Sequence, residues 1–488
     1  MDDWLLYLYT ALPFVVVLAA AVLAIAGIGV GLVAPRLLVY PYLAVFFLFN
    51  STNYGNLQVF SSAGIYSRGS GLLYFALLLW AMLGIWCCAR VAASFGRQKL
   101  PETNLAPWFW GWLALLALHV AAALFLGRKP SEALAPSGFS LVVWMAPLIS
   151  LLMMSFRTRE HVIELGRFIM LMGLGRALFG LARWALAGGD PNNVYANMNA
   201  VRIKLTFFDI NDSMLCAAAF AIAAVNLFQL ARAHPSRAWR PLEWATLGAT
   251  AVCIVLSYRR TAWIGFALAC IVIAWRFPLR RRLQLAAIGV PALGAAIAFV
   301  AINRLSQTRG AGGGIESMLY DISSRRFGAE SQRVLELKYA LADFLAHPFT
   351  GIGAWGKYSG YERISWQGSA DGGSFIHSGV LHIALKAGLP GLILFFGLAW
   401  AFVSFTRRAL RSLPPELMGV GVAGVAGIVL MLPDFLFGTP IPQLRTTQMI
   451  ALCMALPYLA HAASRAPQGQ AAPLPLQPRA WAGQPGLP

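Results

Sequence analysis

Residues 106–126 read APWFWGWLALLALHVAAALFL, and these 21 positions hold no aspartate, glutamate, lysine or arginine. The apolar residues run on without alternation, so neither face of the segment is polar. About 20 such residues are what a helix needs to cross a hydrocarbon core of about 30 Å. Inside lipid a helix satisfies every backbone N–H and C=O within the segment itself. Comparable runs occur at about Ala11–Ala34, Leu37–Asn50, Gly71–Val91, Phe139–Phe156, Val162–Ala187 and Ser213–Ala231. Others follow near Leu242–Leu256, Ala262–Phe277, Leu283–Ile302, Gly379–Phe405, Glu416–Phe437 and Thr446–Ala463. The expected fold is all-α: a polytopic helical membrane protein with roughly 12–13 transmembrane helices. Leu37–Asn50, the shortest run, is the candidate for a re-entrant segment.

Composition gives the same class. Of 488 residues, 59% are hydrophobic and 12% charged, against about 45–50% and 25% in a soluble chain. A soluble enzyme, a secreted disulfide scaffold and a disordered protein are all excluded, and non-alternating runs exclude a transmembrane β-barrel. Cys87, Cys88, Cys216, Cys253, Cys270 and Cys453 fall inside apolar stretches, where cysteine acts as a small hydrophobe. None has metal-ligand spacing, and no metal or cofactor is expected. The acidic Asp2 and Asp3 replace the basic n-region of a cleavable signal, so none is expected.

The net charge is +19, from 38 Lys+Arg against 19 Asp+Glu. In a membrane protein such an excess either orients the chain or binds anionic lipids and phosphates. Alternating the spans gathers Arg97, Lys99, Arg157, Arg159, Arg232, Arg237, Arg240, Arg276, Arg280, Arg281, Arg282, Arg407, Arg408 and Arg411 on one side. That side is the cytoplasmic one by the positive-inside bias, with the N-terminus outside. Four regions are expected: a transmembrane bundle over 1–302, an outer loop or cap over 303–376, C-terminal spans over 379–463, and a disordered Pro/Ala/Gln-rich cytoplasmic tail over 464–488. The outer loop is too long for a mere connection. Within it, Gln332–Ala346 has helical apolar spacing, closed by His347-Pro348. Gly351-x-Gly353 follows, without the strand and third glycine of a nucleotide fingerprint.

Topology does not explain the basic residues that remain outside. Arg202 and Lys204 precede the seventh span in Val201-Arg-Ile-Lys-Leu-Thr-Phe-Phe-Asp-Ile-Asn211, and Arg259 and Arg260 fill the turn between two spans. Arg176 and Arg183 lie seven residues apart on one helix face within the sixth span. Intramembrane cations face a protein interior or a wet cavity. Snorkelling to headgroups is the alternative, and fits Arg167 best. Arginine stays charged and grips phosphate oxygens bidentately, so the outer set reads as a pyrophosphate site. His377, where the long loop re-enters the membrane, can take a proton near neutral pH. It can equally be a hydrogen-bonding residue at a helix start. Lys386 is a cation within a span that can line the same cavity. For His382 a packing or buried hydrogen-bonding role is expected, and for Asp434 a structural partner.

Four segments, in order, resemble the O-antigen ligase and O-antigen polymerase superfamily. They are Arg202…Thr206-Phe207…Asn211; Arg260-Thr-Ala-Trp263; Ser331-Gln-Arg333 with His347-Pro348 and Gly351-Ile-Gly353; and His377-Ser378 with Gly388. The last resembles the ligase signature, with Gly391 where that signature has threonine. The resemblance implies a fold like that of the GT-C-type membrane glycosyltransferases. It also implies a bacterial inner-membrane enzyme acting on the periplasmic side by an inverting, metal-independent transfer. The donor would be a glycan on undecaprenyl pyrophosphate and the acceptor a lipid A core or another lipid-linked glycan. His377 would deprotonate or orient the acceptor hydroxyl. Arg202, Arg260 and Arg333 would bind the pyrophosphate together with Arg259 and Arg183, supported by Asn211, Lys204 and Lys386. A polymerase joining lipid-linked repeat units is the alternative. A transporter of lipid-linked glycans is another, but it predicts internal repeats, and no convincing duplication is found.

Overall fold

Ala34 breaks the first helical segment with φ −144° and ψ 72° in the computed structural model, which describes residues 22, 25–49, 76–96, 103–133, 139–191, 204–229, 237–306, 329–364 and 376–465. The break separates α1 (Ile25–Val33) from α2 (Pro35–Leu48), and the two are bent by 116°. Proline explains it: Pro35 disfavours helical geometry in the residue before it. The shortest expected span is thus one arm of a bent pair, the geometry of a broken span or a re-entrant loop.

Each later apolar run forms a helix. These are α3 (Leu77–Phe95), α4 (Ala106–Phe125), α5 (Ser140–Ser155), α6 (Arg159–Leu186), α7 (Ile210–Gln229), α8 (Arg240–Val255), α9 (Arg260–Trp275) and α10 (Leu279–Ser306). The outer loop contains α11 (Ala329–Ala346), where Gln332–Ala346 was expected. Then come α12 (Gly379–Ser412), α13 (Pro415–Phe437) and α14 (Leu444–Arg465). Among the described residues six helices are long and apolar enough to cross a membrane, or seven if the bent pair is one span. The sequence count of 12–13 exceeds this because it includes three other kinds of helix. α5, α8 and α9 are short, α6 carries internal arginines, and α14 begins with the polar run Arg445-Thr-Thr-Gln448. Arg176, Arg183 and Arg445 pair with carboxylates within the bundle, so their helices need not be uniformly apolar.

The centre of the bundle is α7, α13 and α14. On α14 every residue from Leu444 to Ala460 is buried. Small residues make this close packing possible: α7 carries Ala217, Ala218, Ala219, Ala221, Ala223 and Ala224, all buried. By contrast α10 lies at the periphery and exposes Leu279, Leu283, Ile288, Val290, Phe299 and Ile302.

One departure from helical geometry positions the outer loop. Ser378 caps α12 by accepting from the Leu381 N–H at 3.3 Å, but the helix unwinds at Gly388, with φ 61° and ψ −158°. Pro390 lies just beyond and has no N–H to continue the ladder. The segment after α11 fills the gap. The Leu389 N–H donates to the Pro348 carbonyl at 2.8 Å, and the Ile352 N–H to the Leu385 carbonyl at 2.8 Å. Gly351 also has φ 61°. A Cβ there would collide with the Leu385 carbonyl, and one on Gly388 with the Phe349 carbonyl. Glycine at Gly351 therefore serves close backbone approach to a broken membrane helix.

Parts of the sequence reading lie outside the described residues: Arg202, most of Ala11–Ala34, the start of Gly71–Val91, stretches of both outer loops, and the tail beyond residue 465.

Candidate functional site

Hydrogen bonds and close packing bring the ends of six helices together at one end of the bundle. After α6, Asp190 accepts from the Phe208 N–H at 2.9 Å. The Thr206 N–H donates to the Leu256 carbonyl at 3.1 Å, and its hydroxyl to the Cys253 carbonyl at 2.7 Å, joining the segment before α7 to the end of α8. Gly379 at the start of α12 sits against Phe435 and Pro440, where α13 turns into α14. Of the expected site residues, Arg183, Lys204, Asn211, Arg259, Arg260 and His377 lie in the segments that meet at this end, Lys386 lies deeper in α12, and Arg202 is outside the described residues.

The deeper layer is a buried ionic network. Arg176 on α6 meets both oxygens of Asp212 on α7, Nε–Oδ1 at 3.0 Å and Nη2–Oδ2 at 3.2 Å. Arg445 at the start of α14 reaches the same Asp212 at 2.9 Å and Asp209 at 2.8 Å. These arginines also donate to α2: Arg445 to the carbonyls of Phe46 at 3.2 Å and Phe47 at 3.0 Å, and Arg176 to that of Leu48 at 3.1 Å. The last carbonyls of a helix lack intrahelical donors and carry partial negative charge, so two cations suit that terminus. Asn211, expected as a supporting residue, donates to Asp209 at 2.6 Å and thereby fixes the carboxylate that faces Arg445.

Above it lie the expected phosphate ligands. Arg183 pairs with Asp190 at 2.8 Å and donates to the Thr206 carbonyl at 2.5 Å. Arg259 meets Asp434 at 3.3 Å and also bonds the Phe208 carbonyl. Asp434 is thus the structural counter-ion of Arg259, and Thr261 donates to it at 3.4 Å. Tyr258 holds this turn in the left-handed region at φ 55°, where a bulky residue costs about 1–3 kcal/mol. Burial pushes the pKa of its hydroxyl above the ordinary tyrosine value. Arg260 is the half-buried first residue of α9. Lys204 is exposed.

The cap adds the third layer. Nδ1 of His377 lies 2.8 Å from Oε2 of Glu336 on α11, and Glu336 is fully buried. Arg333 stands three residues earlier, on the same face of α11. α11 packs on α12 through Ala340, Tyr358, Ile364, Ile376 and Leu385. Lys386 is buried in α12, and its amine donates to the Gly356 carbonyl, tying the cap loop to the helix. His382 is buried, and its two ring nitrogens have no hydrogen-bond partner among the described residues. Of the two roles expected for it, burial fits packing, and no hydrogen bond is seen among the described residues.

Beside this end opens an apolar cavity of about 740 Å³ between α3, α4 and α5. It runs from Arg90 and Thr103 at one end of the bundle to Trp355, Pro442 and Leu444 at the other, next to Arg445.

Sequence reading did not single out Glu336, Asp190, Asp209, Asp212 or Arg445. Carboxylates flanking Asn211 at the edge of a span were a usable signal, because an acidic residue at that depth needs a cationic partner.

No curated protein matches the chain at a significant level. The family model described as O-antigen ligase matches residues 245–396, which is 152 of 488 positions. That segment holds Arg259, Arg260, Arg333, Glu336, His377 and Gly388, and over this third of the chain the protein is similar to the O-antigen ligase superfamily.

Proposed function

We propose that the protein is an O-antigen ligase-type glycosyltransferase of a bacterial inner membrane. It moves a glycan from undecaprenyl pyrophosphate to a lipid A core on the periplasmic face. The observation that carries this reading is the gathering, at one end of the bundle and largely within the family segment, of arginines that the positive-inside bias does not require and a carboxylate-held histidine. Breaking a bond to pyrophosphate leaves growing negative charge on the leaving group. Arginines aimed at it stabilise the transition state more than the ground state. Arg260 and Arg202 take that role, with Arg333 from the cap. His377 accepts the proton of the acceptor hydroxyl. That oxygen bonds to the anomeric carbon from the face opposite the leaving group, so configuration inverts. The apolar cavity supports a lipid-borne donor, because its volume and lining suit an isoprenoid tail.

One residue favours the second reading. Gly391 stands where the ligase signature carries threonine, and a polymerase of lipid-linked repeat units shares the rest of the chemistry. A deletion strain separates the two on gels of lipopolysaccharide and lipid-linked glycans. Full-length glycan held on the carrier lipid is the expected result. Single repeat units on the carrier would assign the polymerase reaction, and an unchanged glycan profile would reject both.

A further inference from the structure

We infer that Glu336 is the positioning residue for His377, fixing which ring nitrogen receives the acceptor's proton; this rests on the transfer reaction proposed above. Glu336 has no exposure, and burying a carboxylate is costly unless it is held by donors. Two of them come from His377. Nδ1 lies 2.8 Å and the backbone N–H 3.4 Å from the same oxygen, Oε2. A carboxylate only accepts, so the proton of the neutral ring sits on Nδ1 and the basic lone pair on Nε2. The ring is thus set in both tautomer and direction, as a base needs a third group to orient it.

The fold delivers this carboxylate from a separate element. Glu336 and His377 are 41 residues apart, and α11 is held against α12 both by the apolar cluster around Ala340 and Leu385 and by the loop after it, which docks into the break at Gly388 through Pro348 and Ile352. The same face of α11 carries Arg333. Docking of the cap therefore sets the base and brings a leaving-group ligand to the site in one event. In the transfer step the acceptor oxygen bonds to the anomeric carbon as the bond from that carbon to the pyrophosphate oxygen breaks. The hydroxyl proton goes to Nε2, the electron pair leaves with the pyrophosphate, and the imidazolium formed is stabilised by Glu336 across Nδ1.

The experiment uses full-length purified protein, undecaprenyl pyrophosphate bearing the source bacterium's glycan, and glycan-free lipid A core from the same bacterium. Glu336→Gln keeps a side-chain oxygen for the Nδ1 proton but loses the charge that stabilises the imidazolium. Its kcat is expected to fall about 10- to 100-fold, within the range general base catalysis supplies, with acceptor KM changed less than about twofold. A purely structural carboxylate predicts kcat within about twofold of wild type, and that result would overturn the proposal. Glu336→Asp covers the case in which the glutamine variant does not fold. Its retracted carboxylate is expected to lower kcat several-fold, and wild-type kcat in that variant would equally overturn it. His377→Ala separates the two levels of the argument. An active His377→Ala protein removes the transfer site itself. An inactive one alongside fully active Glu336 variants removes only the role of Glu336.

Discussion

Arg260→Ala is expected to lower glycan transfer by about 10²–10³-fold, the loss seen when one preorganised group facing developing negative charge is removed. Expression and membrane insertion should be unaffected. Arg260 opens α9, a helix whose start no side chain caps. In the proposed site, the partial positive charge of that helix start adds to the arginine's charge at the leaving group. Arg259, the neighbouring residue, serves as an internal control. It is held by Asp434 and the Phe208 carbonyl, so Arg259→Ala should loosen the turn and lower stability. Arg260→Lys keeps charge but loses the bidentate fork, so its activity should fall between alanine and wild type. Arg202→Ala and His377→Ala should be as severe as Arg260→Ala. The check is the lipopolysaccharide profile of complemented deletion strains, with membrane levels measured by immunoblot. Normal profiles in all three alanine variants would sink the site assignment.

Asp212→Ala should have the largest effect on stability. Asp212 is fully buried and accepts from both Arg176 and Arg445. Removing it leaves Arg176 without its carboxylate and Arg445 with Asp209 alone. Breaking a buried ion pair by deleting one partner costs about 3–5 kcal/mol, because the surviving charge stays desolvated. In detergent the variant should unfold at a markedly lower temperature and accumulate poorly in membranes. Asp212→Asn keeps acceptor capacity on one oxygen and should lose less. The α2 terminus is tied to the same arginines, so proteolysis near Leu48 should also quicken in the alanine variant. An unshifted unfolding temperature would show that the network does not hold the bundle together.

The helices were legible because apolar length is a local property. Every described run from Leu77 onward formed its helix close to the expected bounds, and α11 was read from apolar spacing alone. The bend between α1 and α2 was legible in part: Leu37–Asn50 was too short to cross, and Pro35 sits at the break. Charge placement was informative in a different way. Once the inner arginines were assigned to topology, the residues left over led to Arg183, Arg259 and Arg260, which the structure places at one end. Their partners were not legible. Asp212 and Arg445 are 233 residues apart, and Glu336 and His377 are 41 apart, so no periodicity links them. Nor did hydropathy show that Arg176 and Arg183 inside α6 and Arg445 at the start of α14 were compensated by carboxylates. Gly351 and Gly388 were visible as motif residues. Their purpose, a loop backbone seated in a broken helix, is a tertiary contact that no local pattern encodes.

The most direct test of the central claim is transfer by the purified protein in liposomes. The assay supplies undecaprenyl pyrophosphate carrying a labelled glycan, together with glycan-free lipid A core. The account predicts that label moves to the core lipid with inverted anomeric configuration. One undecaprenyl pyrophosphate should be released for each glycan moved, and the Arg260→Ala protein should show almost no transfer. Transfer with retained configuration, or label that stays on the carrier while the protein is folded, would contradict it.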